Sequence, residues 1–140
     1  IEAAKGMTVG VHGSTFGGNP LAMAVGLAAL EELSSPAILD NVREISGYLV
    51  QQLEGLKDRY PDVIVEVRGK GLLLGVKLIP NNREFMGWAR DEAQLLVAGG
   101  GDNLVRILPP LNLSMDDAQE AIRRFEQACE VARGKIKAAG

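Results

Sequence analysis

Residues 63–79 read VIVEVRGKGLLLGVKLI. Two β-rich, mostly aliphatic runs, Val63 to Val67 and Leu72 to Ile79, are parted by Arg68-Gly69-Lys70-Gly71. The two glycines predict a turn or bulge between neighbouring strands. A third strand is expected at Leu95 to Ala98 and a fourth at Leu104 to Leu108, joined by a tight turn at Gly99-Gly100-Gly101-Asp102-Asn103. Pro109-Pro110 close the fourth strand, at an end where prolines are tolerated.

Helical spacing surrounds this β-rich centre. Ile38, Val42, Ile45, Leu49, Leu53, Leu56 and Tyr60 step by three or four and predict one apolar stripe over residues 36–60, ended by Pro61. Asn81-Asn82 open a short helix through Ala93. Ser114, with Asp117 three residues on, resembles a cap; Ala118, Ile122, Phe125, Cys129, Ala132 and Ile136 then share one face of a closing helix. Asn19-Pro20 is a further cap and first-turn proline, opening a helix over residues 20–33 that is apolar enough to need cover. Residues 1–19 are rich in Gly, Ser and Thr and read as a loop with local turns. The layout is α+β, a small and mainly antiparallel sheet of about four strands backed by helices and preceded by a long connecting helix.

Composition narrows the function classes. The 140 residues carry 15 Lys+Arg and 18 Asp+Glu, a net charge of −3, which offers no positive field for nucleic acid or an anionic membrane. One cysteine, Cys129, makes no internal disulfide, and a reducing setting is expected. One histidine, His12, gives no cluster for a metal and no relay. No apolar run is long enough to span a bilayer. The chain opens at Ile1 in sequence that reads as already folded, which predicts a piece of a longer protein.

Two places could carry chemistry. His12-Gly13-Ser14-Thr15-Phe16-Gly17-Gly18-Asn19 sets hydroxyls among glycines just before a helix, a pattern that serves either an anion such as phosphate or a plain connector. It lacks the Gly-Lys-Ser/Thr of a triphosphate loop. Arg106 lies within Leu104-Val105-Arg106-Ile107-Leu108, where alternation puts Leu104, Arg106 and Leu108 on one face. Such an arginine either rests on an exposed face or reaches into a cleft for a two-pronged carboxylate contact.

Three ordered segments, HGSTFGGNPLAMAVGLAALEEL, VRGKGLLLGVKL and GDNLVRILPPLNLS, resemble the C-terminal part of the class III aminotransferases, and the pattern is nearest to members acting on N2-acetylornithine. The resemblance covers essentially the whole chain. It implies the small domain of a fold-type-I enzyme dependent on pyridoxal phosphate (PLP), with residues 1–33 the tail of the large cofactor domain and residues 34–140 the C-terminal small domain. By the same resemblance Thr15 would bind the cofactor phosphate of a partner subunit, and Ser14 would contact the acylated ornithine. Arg106 would hold the α-carboxylate of glutamate, 2-oxoglutarate or the ornithine substrate. The parent is expected to be a homodimer of arginine biosynthesis. The lysine that anchors the cofactor is expected upstream, so the chain alone is expected to be inactive. Related substrates (succinylornithine, ornithine or 4-aminobutyrate) stay open, as does a stand-alone α+β module that recognises an amino acid through Arg106.

Overall fold

The computed structural model describes residues 2–139, which fall into two units divided between Ser35 and Pro36. The first holds a single turn of 3₁₀ helix, Ala3–Gly6, an irregular stretch, and helix α1, Pro20–Leu33. Asn19 caps α1, with its side-chain oxygen accepting the Ala22 N–H at 2.9 Å. Apolar residues lie on every side of α1, and none of its residues is buried.

The second unit is built as α2 Pro36–Arg59, β1 Ile64–Lys70, β2 Leu73–Leu78, α3 Asn82–Ala93, β3 Ala98–Gly100, β4 Leu104–Ile107 and α4 Met115–Ala139. Its four strands pair antiparallel throughout, in the order β1-β2-β4-β3. Period-2 alternation divides the sheet into an inner and an outer face. Val67, Val76 and Val105 share the inner face, whereas Glu66, Lys77, Leu104 and Arg106 share the outer one.

The predicted stripes form the core. Ile45, Leu49, Leu53 and Leu56 of α2 are buried, as are Ala118, Phe125, Cys129 and Ala132 of α4. Phe85 of α3 meets Phe125 with ring centroids 5.5 Å apart. Each large aliphatic or aromatic side chain buried this way contributes about 1.5–3 kcal/mol. Ser114 caps α4 as expected, accepting the Asp117 N–H at 3.1 Å.

A polar clip joins the end of α2 to α4. Arg133 donates to both Asp62 oxygens, at 2.7 and 2.9 Å, and lies 4.2 Å over the Tyr60 ring. Burial, reinforced by Glu130 and Glu126, pushes the Tyr60 phenol up to about 12.

Two sequence expectations are corrected. The first concerns Arg68-Gly69-Lys70-Gly71, because β1 continues through Lys70 and the turn is Gly71-Leu72. Gly69 permits this: its φ is +136°, and a methyl there would stand 2.2 Å from the Leu73 carbonyl oxygen. The bulge lies earlier, where the register shifts between Ile64 and Glu66. The second concerns the third strand, which runs Ala98–Gly100 rather than 95–98. Gln94, left-handed at φ 52°, ends α3, and Leu95 and Val97 then pack on the core as a connector. Pairing passes to the glycines, which fit against Leu104 and Val105 with no side chains of their own.

Candidate functional site

Strand β4 lies between β2 and β3, and its alternation fixes the arginine's direction. Val105 is buried on the inner face; Arg106 stands on the outer face opposite Gly75 of β2 and Ala98 of β3. Its Nε and one terminal nitrogen donate to the Gly99 carbonyl at 3.2 and 2.7 Å. The side chain lies flat against Gly100, where a methyl would come within 3.5 Å of Nε. Among the described residues no carboxylate pairs with Arg106, and Asp102 of the adjoining turn is engaged elsewhere. Asp102 takes Lys77 at 3.0 and 3.1 Å and Arg68 at 3.3 Å. The Lys77 ammonium, with help from Arg68, holds the Asp102 carboxyl below its usual range.

A concavity of about 410 Å³, lined by Asn82, Arg83, Met86, the three glycines 99–101 and Arg106, opens beside the guanidinium. A second hollow of about 280 Å³ adjoins it on the side of Leu96 and Leu108. Both are cationic or neutral in their linings and suit a small anion. The cleft of about 140 Å³ between Leu49, Leu95, Pro109 and Phe125 is apolar and offers no side chain to orient an acid or amine.

The turn that carries the glycines is held by two amides that sequence reasoning missed. Asn103, left-handed at φ 55°, donates to the Leu78 and Pro80 carbonyls at 2.7 and 2.9 Å and accepts the Asn82 N–H at 2.9 Å. Asn82 donates to the Gly100 and Leu104 carbonyls at 3.0 and 2.8 Å. The one available signal was Asp102-Asn103 after three glycines, since Asp and Asn tolerate left-handed backbone.

Ser14 and Thr15 belong to the other unit. Ser14 Oγ accepts the Gly17 N–H at 2.8 Å, which leaves its own O–H to donate. Thr15 and His12 are exposed. Free hydroxyl donors in a glycine-rich turn fit phosphate oxygens. The described lysines fit the covalent anchoring of a cofactor poorly. None is buried, and Lys5, Lys57 and Lys77 are each paired with a carboxylate.

Residues 2–129 match the family model described as Aminotransferase class-III. The chain belongs to that family. Among curated class III relatives, acetylornithine aminotransferase 2 of Caulobacter vibrioides is 71% identical over 98% of this chain, which covers 34% of that protein. A solved structure of N-acetylornithine aminotransferase from Stenotrophomonas maltophilia superposes with a TM-score of 0.74 at 30% identity, over 84% of this chain and 33% of the other. Ornithine aminotransferase from Toxoplasma gondii reaches a TM-score of 0.80 at 26% identity, over 98% of this chain and 33% of that one. This class III chain spans about a third of the length of the relatives it matches. Among its described residues no single helix is long and apolar enough to cross a membrane.

Proposed function

We propose that this chain is the C-terminal lobe of a PLP-dependent aminotransferase that moves an amino group from N2-acetylornithine to 2-oxoglutarate in arginine biosynthesis. Residues 1–33 are the tail of the large cofactor domain, residues 34–140 the small domain, and the parent is a cytoplasmic homodimer. The observation that carries the reading is the guanidinium of Arg106, held on the outer face of the sheet beside a concavity with no carboxylate partner among the described residues. Identity to acetylornithine aminotransferase 2 supports the choice of substrate over other members. Family membership supports a lobe of an enzyme over a stand-alone regulatory module.

Each residue has a defined task in this reading. Arg106 grips a substrate carboxylate through its planar fork, turning the reacting amine or carbonyl toward the cofactor. Its bond to Gly99 uses Nε and one hydrogen of a terminal nitrogen, so the outer edge of the fork stays available. Thr15 donates its hydroxyl to the cofactor phosphate, and Ser14 donates to the acyl group of the substrate. Bound PLP supplies the electron sink for the transamination. The lysine that moves the proton lies in the part of the enzyme beyond this chain.

Kinetics of the full-length enzyme test this. Arg106→Lys keeps the charge and loses the fork, and is expected to lower kcat/KM for glutamate about tenfold to hundredfold, the worth of one or two charge-assisted hydrogen bonds. Unchanged kcat/KM would refute the assignment. Residues 1–140 alone, mixed with PLP and then borohydride, are expected to show no saturable labelling of a single lysine.

A further inference from the structure

We propose that Asn82 and Asn103 are positioning residues for Arg106, their amides fixing the β3–β4 hairpin whose Gly99 carbonyl carries the guanidinium. The inference rests on the reading of Arg106 as the carboxylate grip and deepens it.

An arginine on an exposed sheet face has many rotamers, and holding one costs side-chain freedom. Here the side chain is steadied by the Gly99 carbonyl, so the fork points where that carbonyl allows. Gly99 belongs to a three-residue edge strand that is two-thirds glycine. Glycine loses more freedom on ordering than any other residue, and a strand this short pins nothing by itself. Something else must hold it.

The two amides do. Asn82 Nδ2 bridges the Gly100 and Leu104 carbonyls, which are cross-strand partners at the mouth of the β3–β4 hairpin. Asn103 Nδ2 ties the turn to the Leu78 and Pro80 carbonyls at the end of β2, and its oxygen receives the Asn82 N–H. Both side chains are half-buried, and both spend each amide hydrogen on a backbone carbonyl. Capping of α3 does not account for Asn82, because Asn81 already performs it by accepting the Arg83 N–H at 2.9 Å. The amide pair thus serves the hairpin, and the feature of the hairpin that bears on substrate is the shelf under Arg106.

The test uses the full-length holoenzyme and the half-reaction with glutamate, followed by cofactor absorbance, beside a primary amine that has no carboxylate. Asn103→Gly keeps the left-handed backbone and removes only the amide; Asn82→Ala probes the second member independently. Each is expected to raise the half-saturating glutamate concentration about five- to twentyfold, with a markedly smaller effect on the carboxylate-free amine. In an Arg106→Ala background the Asn103→Gly effect on glutamate should vanish, because the group being positioned is gone. Equal losses on both amines, or full additivity with Arg106→Ala, would overturn the proposal and leave the amides a structural role only. If Arg106→Ala itself fails to penalise glutamate over the amine, it is the reading of Arg106 that falls. Should Asn103→Gly lose its cofactor absorbance, Asn82→Ala decides the matter through the same two comparisons.

Discussion

Arg106 lies across the bare Cα of Gly100, its Nε 3.5 Å and its Cγ 3.7 Å from where a methyl would stand. The carbonyl that accepts from the guanidinium belongs to the preceding residue, Gly99. Backbone without a side chain therefore forms the seat of the only arginine on β4. A methyl at Gly100 would also come within 3.2 Å of Leu104 Cβ, which the strand holds in place.

Gly100→Ala should accordingly crowd Leu104 and shift the β3–β4 hairpin by a few tenths of an ångström, carrying the Gly99 carbonyl and the arginine seated on it out of place. The expected outcome in the full-length enzyme is a KM for glutamate raised about three- to tenfold with kcat changed less. Steady-state kinetics with a thermal melt on the same sample separate the two effects. A lowered melting temperature with unchanged KM would count against the seat.

Gly69→Ala meets the opposite situation. With φ at +136° and the Leu73 oxygen 2.2 Å from the new methyl, β1 and β2 must part locally. A loss of about 2–3 kcal/mol is expected, from the strain of such a conformation in a residue with a Cβ. Urea unfolding measures it, and a loss below about 0.5 kcal/mol, the level of ordinary surface changes, would contradict the steric account.

The Asp62–Arg133 clip gives a pH dependence with a defined sign. Hydrogen bonds from Arg133 hold the Asp62 carboxyl below its usual 3.8, with a smaller contribution from Lys137. A depressed folded value means the stabilisation is fully present above about pH 4 and is lost as pH falls through the folded value. Asp62→Asn should be less stable than the parent sequence at neutral pH, with the gap closing in acid. Unfolding curves at pH 7, 4 and 2.5 or so would show it; a constant gap would rule the linkage out.

Cys129 should be chemically silent. Burial, aided by Glu126, pushes its thiol up to about 12, so at pH 8 about one molecule in ten thousand is thiolate. Thiol-reagent labelling is expected to track global unfolding. Fast labelling under native conditions would show that α4 opens locally.

The sequence was most legible where period and burial coincide. Ile45, Leu49, Leu53 and Leu56 on α2, and Phe125, Cys129 and Ala132 on α4, could be named in advance because 3.6-residue spacing writes a buried face into the chain. Arg106 stood out for the same reason, as a charge inside a strand that alternation turns outward. Leu95 to Ala98 misled because an apolar run packs on a core equally well as strand or as connector, and only the cross-strand partners of Gly99 and Gly100 decide between them. Asn82 and Asn103 left no such trace. Their bonds reach residues 18 to 25 positions away, and a polar side chain in a turn has no periodicity to betray its partners. The roles of Thr15 toward a phosphate and of Ser14 toward an acylated substrate rested on the resemblance alone, since glycines and hydroxyls compose ordinary connectors too.

Because the Arg106 side chain springs from β4, an inner strand of the sheet, its origin is set by ladder geometry rather than by loop conformation. Changes at the exposed Leu96, which lines the adjoining hollow, would therefore reshape the surroundings of Arg106 and keep its root unaltered. The lining of the hollow and the origin of the arginine are thus adjustable by separate hands.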